Sequence, residues 1–342
     1  EGAGGLLGRQ RYGPQRQCRC SVLYPTVTPV WFCLEMIVRA ELPPGARCAV
    51  ALSYDLEMCA GYSPVYINHG RIMPALRDYT LSLCETASAH GAELQFFYVG
   101  NGLEDVDIGY LEHIVAAGHS IDNHTYSHMP LTTDDTAALA DELALTNRRL
   151  RERLGVESVV LRAPGGYAGG LNLLEVNQRT ILDAGFQWVS SHTDATMGKY
   201  GAAHDVAAAS RLQPYVYPTG LIEIPFHGWM DRIFFDFEHC VDADALESWR
   251  RVSGHRPVTE GWSCPWTSDG VLDSWIEFNL AAFDYTYEHG LLWTPVWHPY
   301  THYLHDPQNR VLPALLRHIR NKSEPVAMLT MREAGAVLTI EG

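Results

Sequence analysis

From residue 47 onward, short apolar runs alternate with segments of helical period. "RCAVALSYD" is a continuous apolar run and reads as a strand buried on both faces. "IMPALRDYTLSLCETASAHG" repeats its apolar positions every three to four residues and closes at Gly91, which predicts a helix. "ELQFFYVG" predicts the next strand, "DIGYLEHIVAAG" the next helix and "HSIDNHT" the strand after it. "TDDTAALADELALTNRRLRERLG" opens on a Thr/Asp cap with acids in its first turn. It carries four arginines near its end and closes at Gly155, so its charges complement the helix dipole. The strand "SVVLRAPGG", the helix "NLLEVNQRTILDAG" and the strands "FQWVSS", "GLIEIPFHG" and "LLWTPVWHP" follow. Strands alternating with helices at this spacing argue for a parallel sheet, and their number suggests closure into a barrel.

In such barrels the chemistry gathers where strands end and loops converge. Polar residues stand at those places here: Asp55 and Glu57 after "AVALSY", His124 and His128 after "SIDN", Arg162 in "VVLRAPGG" and His298 after "LLWTPVW". Two histidines four apart on a helical turn lie on one face with Cβ atoms roughly 5–6 Å apart, close enough to grip one divalent ion. Thr125 follows the first of them, so the zinc-protease pattern H-E-x-x-H lacks its glutamate. Pro130 biases Met129 away from the α region, which places the pair on a turn after a strand rather than on a long helix. Taken singly, each group is ordinary: a turn aspartate, a surface arginine, a hydrogen-bonded histidine. Jointly they supply a metal site with a base and an acid.

Composition narrows the class. With 342 residues, 46% hydrophobic and 19% charged, the chain is globular and long enough for one large α/β barrel. Its formal charge of −15 repels nucleic acid and anionic membrane surfaces, so no nucleic-acid partner is expected. Cys48, Cys59, Cys84, Cys240 and Cys264 form no C-x-x-C pair, and reduced thiols are expected. Residues 1–35 show no period and are expected to be an irregular extension outside the catalytic fold, with residues 36–342 forming a single barrel domain. A basic region followed by the apolar stretch Ser21 to Val38 has the outline of an export signal, but Pro25, Pro29 and Glu35 interrupt it. A cytoplasmic location is therefore expected first and secretion second. No segment offers the 18 or more apolar residues of a membrane span.

The segments "ALSYDLE", "GHSIDNHTYSH", "LRAPGGY", "AGFQWVSS" and "LLWTPVWHP" occur in the order of the motifs of the NodB-homology polysaccharide deacetylases, carbohydrate esterase family 4. The chain resembles that family over roughly residues 46–340, and H-T-x-x-H is the most specific of the matches. The resemblance implies a distorted parallel (β/α) barrel of about seven strands, hydrolysis of acetamides, and one divalent metal held by an acid and two histidines. Zinc is expected, with cobalt, nickel or manganese as alternatives. His124 and His128 then look like metal ligands. The family's commonest first motif is T-F-D-D-G, whereas this chain has Leu56 in place of the second Asp. A branch of the family spaces its acids one apart, and "DLE" fits that branch, with Asp55 as base and Glu57 as third ligand. Residues two apart share a strand face, so both carboxylates can point at one ion, and the reverse assignment stays open.

The same resemblance makes Arg162 the partner that keeps Asp55 ionised and His298 the acid that protonates the leaving amine. Gly165 stands where the family often has Tyr, whose backbone N–H helps bind the oxyanion; with Gly166 and Tyr167 it forms the candidate oxyanion segment, although two glycines equally suit a tight turn. The fourth motif brings Val189 where relatives have Asp, so Asp194 or Asp231 is expected to support His298. Trp188, His227, Trp229 and Asp231 are candidates for the substrate pocket, ordinary packing being the equal alternative. Tryptophans 188, 229, 262, 266, 275, 293 and 297 either stack on sugar rings or fill the core. The expected substrate is a small or oligomeric N-acyl compound. Removal of acetyl groups from N-acetylated sugars is the leading function. The tail resembles a subgroup that includes allantoinase-like and cyclic imide hydrolases, which makes hydrolysis of small cyclic amides or ureides the second. A catalytically silent glycan-binding barrel is the third, and it would not need Glu57, His124 and His128 to converge on an ion.

Overall fold

The computed structural model describes residues 38–40, 42–57, 74–105, 107–193, 212–227, 231, 235 and 269–340. The expected extension, residues 1–35, lies outside them. Along the chain the strands are β1 (Val38–Ala40), β2 (Cys48–Val50), β3 (Ser53–Leu56), β4 (Gln95–Tyr98), β5 (Ser120–Asn123), β6 (Val160–Tyr167), β7 (Trp188–His192), β8 (Tyr215–Val216), β9 (Ile222–Glu223), β10 (Leu292–Trp293), β11 (Val296–Trp297), β12 (Val326–Met328) and β13 (Leu338–Ile340). The helices are α1 (Pro74–Ala89), α2 (Gly109–Ala116), α3 (Thr136–Leu154), α4 (Glu175–Asp183), α5 (Asp269–His289), α6 (Pro299–His305), α7 (Val311–Arg320) and α8 (Met331–Ala336).

The main sheet runs in the order β11-β3-β4-β5-β6-β7-β9-β8, parallel throughout except for β8, which joins its edge antiparallel. It is the α/β fold expected, but its curled eight-stranded sheet makes a half-open barrel and not the closed one the strand count suggests. The two sides of the opening meet at an isolated bridge between His227 and Pro295, beside which Gln213 is bonded to the backbone of Leu292. Pro295 has no N–H to extend that ladder, and the amide of Thr294 is taken by the His227 ring at 2.9 Å.

Two expected strands each divide. "RCAVALSYD" becomes β2 and β3, and "LLWTPVWHP" becomes β10 and β11. The first member of each pair enters a small parallel sheet, β10-β2-β12, and the second enters the main one. The side-chain alternation of β3 then places the groups that matter. Tyr54 and Leu56 join the apolar core with Phe96, Tyr98 and Ile121, while Ser53 and Asp55 face the opposite side. On the outer side, α7 buries Val311, Leu312, Leu315, Leu316 and Ile319, one helical stripe. Full burial of each such side chain stabilises the fold by roughly 1.5–3 kcal/mol.

Local signals bound α3 where expected and cap α8, which was not predicted. Asp135 caps α3 by accepting from the Ala138 amide at 3.0 Å, and Gly155 closes it at φ 66°. Thr330 and Glu333 form a reciprocal capping box on α8. Trp275, Trp293 and Trp297 are fully buried, so they fill the core and offer no sugar-stacking face. Trp188 stands at the start of β7 and packs beneath α8, where a Cβ on Gly335 would lie 2.6 Å from its ring. That is the wrong end of the sheet for a substrate contact. Trp229, Trp262 and Trp266 lie outside the described residues. Among the described residues no helix is long and apolar enough to cross a membrane.

Candidate active site and metal centre

β3 stops at Leu56, and the chain turns tightly, with the Glu57 amide donating to the Asp55 carbonyl at 3.1 Å. Asp55 and Glu57 end up buried and directed to the same side. Two strands along, β5 ends at Asn123 and the His124 amide extends the ladder to the Tyr98 carbonyl at 3.1 Å. Asn123 then shapes the turn: its Oδ1 accepts from the Thr125 amide at 2.7 Å, and its Nδ2 donates to Asn147 Oδ1 at 2.8 Å. Thr125 and His128 adopt φ of 57° and 64°, a region that side chains with a Cβ rarely enter. Glu142 of α3 holds this strained loop, its carboxylate taking the amides of Tyr126 at 2.8 Å and Ser127 at 2.6 Å and the Ser127 hydroxyl at 2.7 Å. The outcome is two imidazoles with ring centres 4.9 Å apart, crossed at 77°.

Hydrogen bonding sets the tautomer of the first. His124 Nδ1 lies 3.0 Å from the Arg162 carbonyl, which can only accept, so Nδ1 carries the proton and Nε2 presents a lone pair. Burial pushes this imidazole down to about 4, against the raising effect of the Asp55 charge, so it is neutral near pH 7. Its Nε2 faces Asp55 Oδ2 at 3.8 Å and Glu57 Oε1 at 4.0 Å, and His128 Nε2 stands 3.0 Å from Glu57 Oε1. Burial opposes ionisation of Glu57, yet the close His128 ring and the neighbouring His298 and His124 imidazoles bring it down to about 2. One ligand atom from each of Glu57, His124 and His128 lies within 4.8 Å of the others. His124 Nε2, His128 Nε2 and Glu57 Oε2 are buried without a well-formed hydrogen bond. Orphaned buried acceptors are costly, and an anionic oxygen with two imidazole nitrogens is the donor set a divalent zinc-like ion takes. The residues therefore fit the metal that the sequence motif implies.

Arg162 reaches across the sheet to Asp55. Its Nη1 donates to Asp55 Oδ1 at 3.1 Å and its Nη2 to Ser53 Oγ at 2.8 Å, while Phe97 and Phe226 lie 4.5 and 5.0 Å from the guanidinium carbon. On the other side, Asp231 Oδ1 accepts from His298 Nδ1 at 2.7 Å and Asp231 Oδ2 from the His298 amide at 2.6 Å. Burial disfavours the imidazolium, but the Asp231 charge and hydrogen bond outweigh it and raise His298 to about 9. Its Nε2 lies 3.9 Å from Glu57 Oε1, on the same small volume. Of the two acids expected to support His298, Asp231 makes the contact and Asp194 lies outside the described residues.

Between Arg162↔Ser190 and Tyr167↔His192 the register of β6 and β7 shifts, so residues 163–166 bulge out of the regular ladder. Gly165 sits exposed at φ 73°, and Gly166 is pinned where a Cβ would come within 2.3 Å of Thr193 Cγ2 and 2.4 Å of Phe226 Cζ. Tyr167 spends its hydroxyl on the backbone, accepting from the Leu131 amide at 2.9 Å and donating to the Pro164 carbonyl at 3.0 Å. His227 is a correction to the expected pocket. Its Nδ1 accepts from the Thr294 amide and its Nε2 bonds the Leu212 carbonyl, so both ring nitrogens are spent on closing the sheet. Trp229 lies outside the described residues. Glu142 was not expected from the sequence; a glutamate on the polar face of a helix carries no local signal of the loop it will hold.

A family model described as polysaccharide deacetylase matches residues 59–193, the span that contains both histidines and the Arg162 segment. Over that span the chain is similar to polysaccharide deacetylases. Solved structures share the fold of this chain at low identity. A putative polysaccharide deacetylase from Mycobacterium smegmatis is 19% identical with a TM-score of 0.54, over 86% of this chain and 92% of that one. An allantoinase is 16% identical with a TM-score of 0.55, over 86% and 91%. A probable polysaccharide deacetylase from Pseudomonas aeruginosa PAO1 is 14% identical with a TM-score of 0.55, over 86% and 92%. No curated protein matches the chain significantly. The chain thus has the NodB-type half-barrel, with the candidate site towards the C-terminal ends of β3, β5, β6 and β11.

Proposed function

We propose that the chain is a metal-dependent hydrolase of non-peptide C–N bonds that removes acetyl groups from N-acetylated sugars or a related acetamide. The observation that carries this reading is the convergence of Glu57, His124 and His128 on one small volume flanked by Asp55 on one side and His298 on the other. Glu57 Oε, His124 Nε2 and His128 Nε2 would hold the ion. Bound there, a divalent metal supplies a Lewis acid for the amide carbonyl and lowers the pKa of water toward neutrality.

The chain's own residues do the rest. Asp55, oriented by Arg162, takes the proton of the attacking water through its Oδ2. The backbone N–H groups of Gly165 and Gly166, in the bulge, would bind the oxygen on which negative charge develops. His298, charged through Asp231, delivers a proton from Nε2 to the departing nitrogen. A base and an acid of opposite charge on either side of the ligand set suit amide hydrolysis, in which one proton leaves the nucleophile and another reaches a poor leaving group.

A second reading, hydrolysis of a small cyclic amide or ureide, is favoured by how deeply the groups sit. The side chains of Asp55, Glu57 and His298 are 7%, 5% and 8% exposed, and His128 reaches only 19%. The allantoinase of the same fold is consistent with it. The test is metal content of the purified protein together with acetate release from N-acetylglucosamine oligomers, with and without chelation and for His124→Ala. One metal per chain and acetate release lost on chelation and in the variant are expected. Bound metal with turnover only of ureides or cyclic imides would select the second reading. Absence of metal would sink both and leave a silent glycan-binding barrel.

A further inference from the structure

The mechanism above makes no use of one fully buried carboxylate near the same strand ends. Glu223, on β9, is 0% exposed and receives four hydrogen bonds. Its Oε1 accepts from the amides of Ser191 at 2.6 Å and His192 at 2.8 Å, and its Oε2 from the hydroxyls of Ser191 at 2.6 Å and Tyr217 at 2.7 Å. A carboxylate taken wholly out of water is expensive unless it is hydrogen-bonded this completely, and an apolar residue would fill the position at lower cost. What the carboxylate achieves is visible in what its donors touch. Ser191 and His192 are the last residues of β7, and Thr193 after them packs on Gly166 and sends its amide to the Tyr167 carbonyl at 3.3 Å. Tyr217, bonded to Glu223, accepts from the Leu171 amide at 2.8 Å and from the Tyr215 hydroxyl at 3.2 Å, and Tyr215 is bonded to the His192 ring at 2.9 Å. Gly170 lies against the same hydroxyl, where a Cβ would come within 2.3 Å. The segment from Gly165 to Leu171 is thus gripped at both ends, at Gly166 through the end of β7 and at Leu171 through Tyr217.

We infer that Glu223, with Ser191, Tyr217 and Tyr215, is a positioning network that holds the bulged Gly165–Gly166 amides where the developing oxyanion needs them. Glu223 touches neither the proposed ligands nor Asp55; it acts through the backbone of β7 and the loop after β6. The inference rests on the proposed hydrolysis for its catalytic meaning, while its structural content can be read separately. A loop left free to move by an ångström can lose a large part of the oxyanion stabilisation, so the effect belongs in kcat and not in substrate binding.

The experiment compares the full chain with Glu223→Gln, Tyr217→Phe and, as a control for general destabilisation, Thr330→Ala in the capping box of α8. Each is measured for amide hydrogen exchange across residues 163–173, for metal content, and for kcat and KM on the best substrate found. For Glu223→Gln the expected result is a loss of exchange protection in 163–173, unchanged metal content, and kcat lower by roughly tenfold or more at constant KM. Tyr217→Phe is expected to show the same pattern with a smaller change, and Thr330→Ala to lower the melting temperature without it. Wild-type exchange protection in 163–173 for Glu223→Gln, or a kcat that follows only the folded fraction as in Thr330→Ala, would overturn the inference. If the unmodified chain hydrolyses no amide, the functional proposal fails while the exchange measurement still decides whether the clamp exists.

Discussion

Replacing Asp231 with Asn keeps the shape of the side chain and removes its charge, from His298 and also from the His302 ring 3.8 Å away. In the structure its two oxygens accept from two N–H groups of one residue, the ring Nδ1 at 2.7 Å and the amide at 2.6 Å. An amide side chain has one acceptor oxygen, so at least one of these donors meets an NH2 group instead. A hydrogen bond to a charged partner contributes about 1.5–3 kcal/mol, which corresponds to a loss in kcat/KM of roughly ten- to hundredfold if it is felt fully in the transition state. The pH dependence gives a second, independent reading. Burial lowers the pKa of this imidazole, and the Asp231 carboxylate is the main reason it stands at about 9 and not below its ordinary 6.5. His298 must be protonated to act as acid, so activity is lost as pH rises through its pKa, and without the carboxylate that alkaline limb moves to lower pH. Wild type and Asp231→Asn are to be compared by pH–rate profiles of kcat/KM, with metal content measured on the same samples. The rate deficit is expected to be larger at pH 8 than at pH 6, with metal content unchanged. An Asp231→Asn enzyme with the wild-type alkaline limb would refute the acid role of the pair.

Three further outcomes are expected. Arg162→Met leaves the buried Asp55 carboxylate without its guanidinium and should destabilise the fold by about 3–5 kcal/mol while lowering kcat; denaturant unfolding and steady-state kinetics check both, and a wild-type kcat in the folded variant would remove Arg162 from the mechanism. Gly166→Ala inserts a methyl 2.3 Å from Thr193 Cγ2 and 2.4 Å from Phe226 Cζ, an overpacking that should lower stability by roughly 1–3 kcal/mol; an unchanged melting temperature would show that the bulge yields freely. Burial lowers the pKa of His119, whose Nδ1 accepts the Leu94 amide at 3.1 Å. Below its ordinary 6.5 the unfolded chain therefore binds more protons there than the folded one, and stability falls as pH drops. His119→Gln should show a shallower decline in melting temperature between pH 7 and 5 than wild type; equal slopes would place the acid sensitivity elsewhere.

Several features were readable from local sequence because local physics makes them. The alternation of apolar runs and helical periods set the parallel sheet, Asp135 and Gly155 bounded α3, and Pro130 kept the histidine pair off a long helix. Other features depend on residues far apart in the chain and left no local mark. The acid that supports His298 lies 67 positions before it, and choosing Asp231 over Asp194 needed the loop to be placed. His227 looked like a pocket residue because it follows a strand, yet closing the half-barrel beside Pro295 claims both of its nitrogens. Tryptophans that could have stacked on a sugar are core because three of them, Trp275, Trp293 and Trp297, face packed layers.

By itself, then, the sequence determined the order and type of most central elements and which strand ends carry carboxylate, imidazole and guanidinium, since hydrophobic period, caps and turn residues act over a few positions. Only the tertiary structure decided that Asp55, Glu57, His124, His128, Arg162 and His298 meet in one place, and that Glu142 and Glu223 serve the loops around them. The reason is physical. A parallel sheet brings residues from distant segments together through its register and curl, and those follow from how the layers pack and not from any short stretch of chain.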